Sequence, residues 1–147
     1  MKNYFNKNVN QLKYFNETSV DEWILFVKGL FLCYLFFILT KFFPLKFYMH
    51  FLKSKPDNNL LTAEDEIQLI KLVRKTFRRI DKYNFFKFNC LTKSIVFKIL
   101  LKDFGVDSNV VLGIKFLDEK ILAHAYVKVN RQVVFLQRSG FTDIFSI

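Results

Sequence analysis

The chain contains few of the residues that build metal centres and disulfide frameworks. Only two cysteines, Cys33 and Cys90, occur among its 147 residues, and they form no paired motif. No cluster of histidines and carboxylates has metal-ligand spacing, and no glycine-rich phosphate loop is present. We therefore predict neither a metal ion nor a cofactor. Two cysteines without a recognisable signal peptide favour a reducing, cytoplasmic location.

Acidic residues are also scarce. The sequence has 13 acidic against 23 basic residues, a formal net charge of +10. Such an excess of positive charge is typical of proteins that bind nucleic acid, an anionic membrane surface or an acidic peptide. Apolar residues, in contrast, are plentiful at 52%, and 20 of them are phenylalanine. This composition is sufficient for one hydrophobic core in a chain of this length.

The N-terminal half is dominated by an apolar segment. Residues 23–40 are interrupted only by Lys28, and no acidic residue occurs between positions 23 and 56. A membrane-spanning helix needs about 20 apolar residues, whereas the uninterrupted part covers only residues 29–40. Three interpretations of this segment therefore remain: a buried helix, a membrane-spanning helix and a helix that lies on an anionic membrane. A polar linker at residues 53–59 divides the chain into a helical half, 1–58, and a core, 59–147.

The second half has the pattern of an α+β domain. Residues 62–82 form a predicted helix, with Thr62 as its N-cap and acidic residues in its first turn. Its predicted buried stripe consists of Ile67, Ile70, Val73, Phe77 and Ile80. A second predicted helix follows Cys90 and stops at Gly105. The apolar runs after it predict strands at 109–116, 121–129 and 132–137. We expect the second helix to pack on this small antiparallel sheet.

Cys90 and His124 are the candidate reactive residues. Cys90 lies at the head of the second predicted helix, and the positive end of the helix dipole favours a thiolate there. An imidazole from an adjacent strand would complete a Cys-His pair that can attack a carbonyl carbon. The alternative is a buried thiol and a strand histidine with structural roles only. His50, in the basic N-terminal half, is a weaker candidate.

Four motifs occur in a recognisable order. They are Asn-Cys-Leu-Thr-Lys-Ser at 89–94, Asp-Phe-Gly-Val at 103–106, Val-Leu-Gly-Ile-Lys at 111–115 and Ala-His-Ala-Tyr-Val at 123–127. Together they resemble the lasso-peptide leader peptidases, the transglutaminase-like, papain-related B2-type proteins that process microcin J25-type precursors. That family usually has tryptophan where this chain has Tyr126. The resemblance runs from about Phe77 to the C-terminus and, more loosely, over the N-terminal half, where it favours a buried helix.

The resemblance implies a cysteine peptidase that removes the leader from a lasso precursor peptide. Cys90 would be the nucleophile and His124 the general base. In that family a separate PqqD-like protein binds the leader, and an ATP-dependent cyclase receives the trimmed core. We therefore expect these partners and no nucleic acid, in the cytoplasm or on the inner face of the plasma membrane. The alternatives are a non-catalytic basic scaffold or membrane-surface protein of the biosynthetic complex, and transglutaminase-type acyl transfer.

The third member of the catalytic group departs from the family pattern. The family usually has an aspartate twelve residues after the histidine, a position that Leu136 occupies here. If residues 130–131 form a two-residue turn, His124 faces Gln137 directly across the hairpin. A side-chain amide can accept the imidazole N–H, as asparagine does in papain-like proteases. We therefore predict Gln137 as the orienting residue. Weaker alternatives are Asp143 and Asp118.

Overall fold

The computed structural model describes residues 19–44, 47, 52, 61–83, 87–117, 120–136 and 138–146. Its helices are α1 (Ser19–Phe42), α2 (Ala63–Tyr83) and α3 (Cys90–Asp103). Its strands are β1 (Asn109–Leu117), β2 (Lys120–Val129), β3 (Gln132–Phe135) and β4 (Thr142–Ser146). The predicted α+β class is confirmed. The predicted linker and the boundary at residue 58 lie outside the described residues, as do His50, Asp118 and Gln137.

Helix α2 forms for the reasons that its sequence suggests. The Thr62 hydroxyl accepts the Asp65 backbone N–H at 3.2 Å and so caps the first turn. Ile70, Val73, Phe77 and Ile80 are buried, and Leu69 joins them. Ile67 is half exposed, so its inclusion in the buried stripe was wrong. At 3.6 residues per turn it lies about 120° around the helix from Val73, away from the core.

Helix α1 packs on the other helices through one face. Leu25 and Cys33 are buried in the same hydrophobic cluster as residues of α2 and α3. Gly29 allows a close approach, since a Cβ there would lie 3.2 Å from the Ile80 Cδ1 atom. The opposite face of α1 is exposed. The expectation of a buried helix is therefore right for the inner face and wrong for the outer one.

Ion pairs connect α1 to the other two helices. The Glu22 carboxylate binds Lys75 at 2.7 Å and Arg79 at 2.8 Å on α2, and its hydrogen bond with Lys75 lowers the Glu22 pKa. Near the middle of α1, Lys28 binds Asp103 of α3 at 2.8 Å. Exposed ion pairs contribute only about 0–1 kcal/mol each. The buried apolar contacts therefore hold α1 in place, and the ion pairs fix its direction.

The four strands form an antiparallel sheet in the order β3-β2-β1-β4. The predicted two-residue turn is confirmed, because Asn130 and Arg131 have φ angles of 48° and 67° and Val129 pairs with Gln132. The register then shifts between Val127 and Lys128, so that Val127 pairs with Phe135. Strand β3 therefore ends at Phe135 rather than at residue 137. Strand β4, which the sequence did not predict, pairs with β1.

The sheet turns one face toward the helices. Val127 and Val129 of β2 belong to the buried cluster with Phe97 of α3, and Phe97 also stacks on Phe135 at 4.1 Å between ring centroids. Because side chains alternate along a strand, His124 lies on the opposite face from Val127. The start of α3 meets the edge of β2 where β3 has ended, which is where Cys90 lies.

Candidate active site

Cys90 is the first residue of α3, as predicted. Asn89 stops the helix from extending further back, because its backbone is extended (φ −70°, ψ 163°) and its side chain caps the first turn. The Asn89 Oδ1 atom accepts the Thr92 N–H at 2.7 Å, and its carbonyl accepts the Lys93 N–H at 3.2 Å. This capping places the half-buried Cys90 thiol at the positive end of the helix dipole.

The thiol touches strand β2 beside the candidate histidine. The Ala125 backbone N–H points to the Cys90 Sγ atom at 3.5 Å. In the described ladder, β3 pairs with β2 only at residues 127–129, so the thiol lies where a longer β3 would have continued. Ala125 follows His124 directly in the chain. The structure therefore brings the start of α3 to the strand that carries His124, whereas the pairing of the thiol with the imidazole stays a prediction.

The imidazole of His124 is held by a backbone carbonyl. His124 is buried, with 6% of its surface exposed, and its Nε2 atom lies 2.8 Å from the Leu136 carbonyl oxygen. A carbonyl oxygen only accepts, so Nε2 carries the hydrogen and donates it. In the neutral ring, Nδ1 is then the basic nitrogen. Leu136 has a φ angle of 57°, a left-handed conformation that is unusual for leucine.

Of the three candidates for the third catalytic residue, the structure describes only Asp143. The pairing of His124 with Gln137 was expected from an unbroken ladder, and the ladder shifts register between Val127 and Lys128. Gln137 lies outside the described residues, so its orienting role stays a prediction. The Asp143 carboxylate is engaged by the Tyr126 hydroxyl and the Lys128 ammonium instead.

Phe141 also lies at the site, although the sequence analysis did not single it out. Its ring centroid is 5.3 Å from that of His124. Gly113 makes room for it, because a Cβ at position 113 would lie 3.1 Å from both Phe141 Cβ and Tyr126 Cε1. The signal was the glycine inside the third motif, since a glycine within a strand often marks a close approach of neighbouring groups.

Comparison with known protein families identifies the family of the chain. Residues 49–146 match the family model described as the Transglutaminase-like superfamily. The chain belongs to this superfamily. The match includes both Cys90 and His124, and a transglutaminase-like domain fits the predicted papain-like arrangement of a helix on a small sheet.

A second comparison points to a narrower group within the transglutaminase-like proteins. The chain is 30% identical over 84 residues to the Microcin J25-processing protein McjB of Escherichia coli. This alignment covers 57% of the chain and only 39% of the length of that relative. The resemblance to lasso-peptide B2-type proteins, predicted from the four motifs, is confirmed. No solved structure matches the chain at a significant level.

Within the described residues, this transglutaminase-like protein has no group of three or more histidine, cysteine, aspartate or glutamate side chains that could hold a metal ion. Both cysteines are free thiols. The candidate reactive groups are the Cys90 thiol and the His124 imidazole, and the backbone amides of the first turn of α3 lie beside the thiol.

The two thiols should differ sharply in reactivity. Cys33 is fully buried, and burial raises its pKa to about 12. Cys90 is partly exposed at a helix N-terminus. Because alkylation requires an accessible thiolate, iodoacetamide near neutral pH should modify Cys90 and leave Cys33 unmodified. Peptide mass spectrometry measures both, and denatured protein should label at both positions. Faster modification of Cys33 than of Cys90 in the folded protein would contradict this assignment.

Proposed function

We propose that the chain is a cysteine peptidase that removes the leader from a ribosomally made lasso precursor peptide. The observation that carries the proposal is the contact of the Cys90 Sγ atom with the N–H of Ala125, the residue that follows His124 in β2. The Leu136 carbonyl supports it, because it fixes the imidazole tautomer with Nδ1 as the base. The similarity to a microcin J25-processing protein supports a precursor peptide as the substrate.

The reaction that we propose has two steps. In the first, His124 Nδ1 takes the thiol proton while Cys90 Sγ bonds to the carbonyl carbon of the scissile peptide bond. The C–N bond then breaks, and the leaving amine takes the proton from the imidazolium, which leaves a thioester. In the second, His124 takes a proton from water, and the resulting hydroxide attacks the thioester carbon and displaces the Cys90 thiolate. The leader carboxylic acid is released, and the proton returns to Cys90.

The negative oxygen formed in each step needs hydrogen-bond donors. The first backbone N–H groups of a helix have no partner within the helix. In α3 these include the N–H of Cys90 itself, since Asn89 caps Thr92 and Lys93. We propose the Cys90 N–H as one donor to the oxyanion, in the role that backbone amides take in other acyl-transfer enzymes.

The proposed partners follow from the resemblance to lasso-peptide enzymes. They are the precursor peptide, a separate PqqD-like protein that binds the leader, and an ATP-dependent cyclase that receives the trimmed core. We propose that the reaction takes place in the cytoplasm, where Cys90 and the other free thiol, Cys33, stay reduced. The excess of basic residues fits an acidic peptide segment as one of these partners.

Two other functions use the same residues differently. In transglutaminase-type acyl transfer, an amine rather than water attacks the thioester on Cys90, and the superfamily match favours this alternative. In a non-catalytic scaffold, Cys90 and His124 are only packing residues.

Product analysis tests the proposal. The purified chain is incubated with a lasso precursor peptide and with a separate PqqD-like leader-binding protein, and a primary amine is added in excess. We expect mass spectrometry to show the core peptide and a leader that ends in a free carboxylic acid. A leader joined to the added amine would instead establish acyl transfer. Unchanged precursor with every component present would favour the scaffold.

A further inference from the structure

The outer face of α1 is apolar along its whole length. Six large side chains, each at least 41% exposed, define this face: Trp23, Val27, Phe31, Leu35, Ile38 and Phe42. Their spacing of three and four residues places them along one side of a helix about 36 Å long. Monomeric soluble proteins rarely expose contiguous apolar patches above about 300–600 Å². The outer face is therefore expected to have a partner.

Next to this face, α1 and α3 enclose an apolar groove with cationic walls. The groove has a volume of about 640 Å³, and Leu39 and Phe43 are among its apolar lining residues. Lys98 and Lys102 of α3 also line it. Asp103 lies there too, but its carboxylate is paired with Lys28 at 2.8 Å. The groove therefore has an apolar lining that can contact hydrocarbon chains, and lysines in its wall that carry positive charge.

Beyond its first turn, helix α1 carries only positive charges. Its acidic residues, Asp21 and Glu22, lie in the first turn, and Glu22 faces α2, where Lys75 and Arg79 bind it. Beyond that turn the charged residues of α1 are lysines alone, Lys28 and Lys41. An apolar face bordered by lysines matches the hydrocarbon and phosphate layers of an anionic bilayer.

From these observations we propose that the outer face of α1 docks on an anionic membrane surface with the helix lying parallel to it. Length and composition alone would let α1 cross a membrane. The packing argues for lying on the surface instead, because crossing would pull Leu25 and Cys33 out of the core. It would also separate Glu22 from Lys75 and Arg79. In the proposed orientation these contacts stay intact.

Tryptophan fluorescence provides a direct test, because Trp23 is the chain's one tryptophan and is 62% exposed on the outer face. The full-length chain is mixed with phosphatidylglycerol-containing vesicles. We expect a blue shift of the emission and quenching by brominated lipid acyl chains. Pure phosphatidylcholine vesicles should bind more weakly. Lys41→Gln should weaken binding to the anionic vesicles about fivefold at low salt, the scale of one lysine near such a surface.

Glutamate substitutions at matched positions test whether vesicle binding depends on the outer face of α1 or on any exposed apolar surface. Phe31→Glu combined with Ile38→Glu should reduce vesicle binding at least tenfold. Phe116→Glu combined with Ile144→Glu should leave it unchanged, since these side chains are similarly exposed, at 69% and 60%, but lie on the sheet. Circular dichroism checks that both variants fold. The assay uses no precursor peptide, so its failure leaves the proposed peptidase activity untouched.

Other occupants of the outer face would give different results. A second copy of the chain would appear as a dimer in analytical ultracentrifugation that Phe31→Glu with Ile38→Glu dissociates, without any response of Trp23 to vesicles. A protein partner or residues 1–18 of the chain would also leave the Trp23 emission unchanged by lipid. Any of these outcomes overturns membrane docking, as does equal vesicle binding by the two double variants.

Discussion

Cys90→Ala and Cys90→Ser variants should lose leader removal almost completely, by about 10⁴-fold or more. The thiol lies at the capped start of α3 and faces solvent in part, so neither change creates a sizeable cavity. The fold should therefore be retained, and circular dichroism checks this. The rate is measured as core peptide released per minute, by mass spectrometry, with the leader-binding protein present.

His124→Ala should cause a loss of similar size. When two residues act as one catalytic unit, the effects of their substitutions on the rate are not additive. The double variant with Cys90→Ala should therefore be no slower than either single variant. Cys33→Ala is the matched control: it removes a thiol from the core rather than from the site, and the rate should stay close to that of the wild type. Cleavage that persists in Cys90→Ala would exclude this mechanism.

The local part of the site could be predicted from the sequence. An apolar run that ends at Gly105 predicts a helix, and the Gly105 φ angle of 81° agrees with that stop. The turn at residues 130–131 followed from its length and composition. Each of these features depends on neighbouring residues in the chain, so the positions of Cys90 and His124 on their elements followed as well.

The register of β3 could not be predicted in the same way. Residues 133–136 are apolar throughout, so no alternation in the sequence marks the one-residue shift between Val127 and Lys128. Phe135 stacks on Phe97 at 4.1 Å, and this packing with α3 is a tertiary contact. Every residue has a backbone carbonyl, so no sequence pattern marks the one that accepts a hydrogen bond from His124. For both reasons the contact of Leu136 with His124 was not expected.

The orientation of α1 was equally hard to derive. A helix that is apolar all round gives no pattern from which its inner face can be chosen. The choice depends on partners far away in sequence, such as Ile80, which approaches Gly29. Strand β4 escaped prediction because it is short and exposed along its length, so no buried alternation marks it.

Leu136 offers the sharpest test of how His124 is oriented. We expect Leu136→Gly to retain most of the turnover, because glycine adopts a positive φ angle without strain and keeps the carbonyl in place. Leu136→Val should lower kcat about 10- to 100-fold with little change in KM. A β-branched residue at a φ angle of 57° costs about 1–3 kcal/mol. That cost is relieved by turning the carbonyl away from the Nε2 atom of His124.

The same two variants distinguish an orienting role of the Leu136 carbonyl from a packing role of the Leu136 side chain. The Leu136 side chain is half-buried beside Phe77 and Phe135. If packing were its contribution, glycine, which removes the whole side chain, would impair turnover more than valine does. That order of rates would contradict an orienting carbonyl. Thermal unfolding of both variants shows how much of any loss is due to stability.

Gln137→Ala completes the comparison. If the Gln137 amide orients His124, its removal should lower turnover about 10- to 1000-fold, the scale that an aligned general base supplies. If the Leu136 carbonyl is sufficient, Gln137→Ala should stay close to the wild type while Leu136→Val does not, because the Nε2 atom has a single hydrogen to donate and the carbonyl at 2.8 Å already accepts it. A large loss in Gln137→Ala together with an unaffected Leu136→Val would assign the third position to the glutamine.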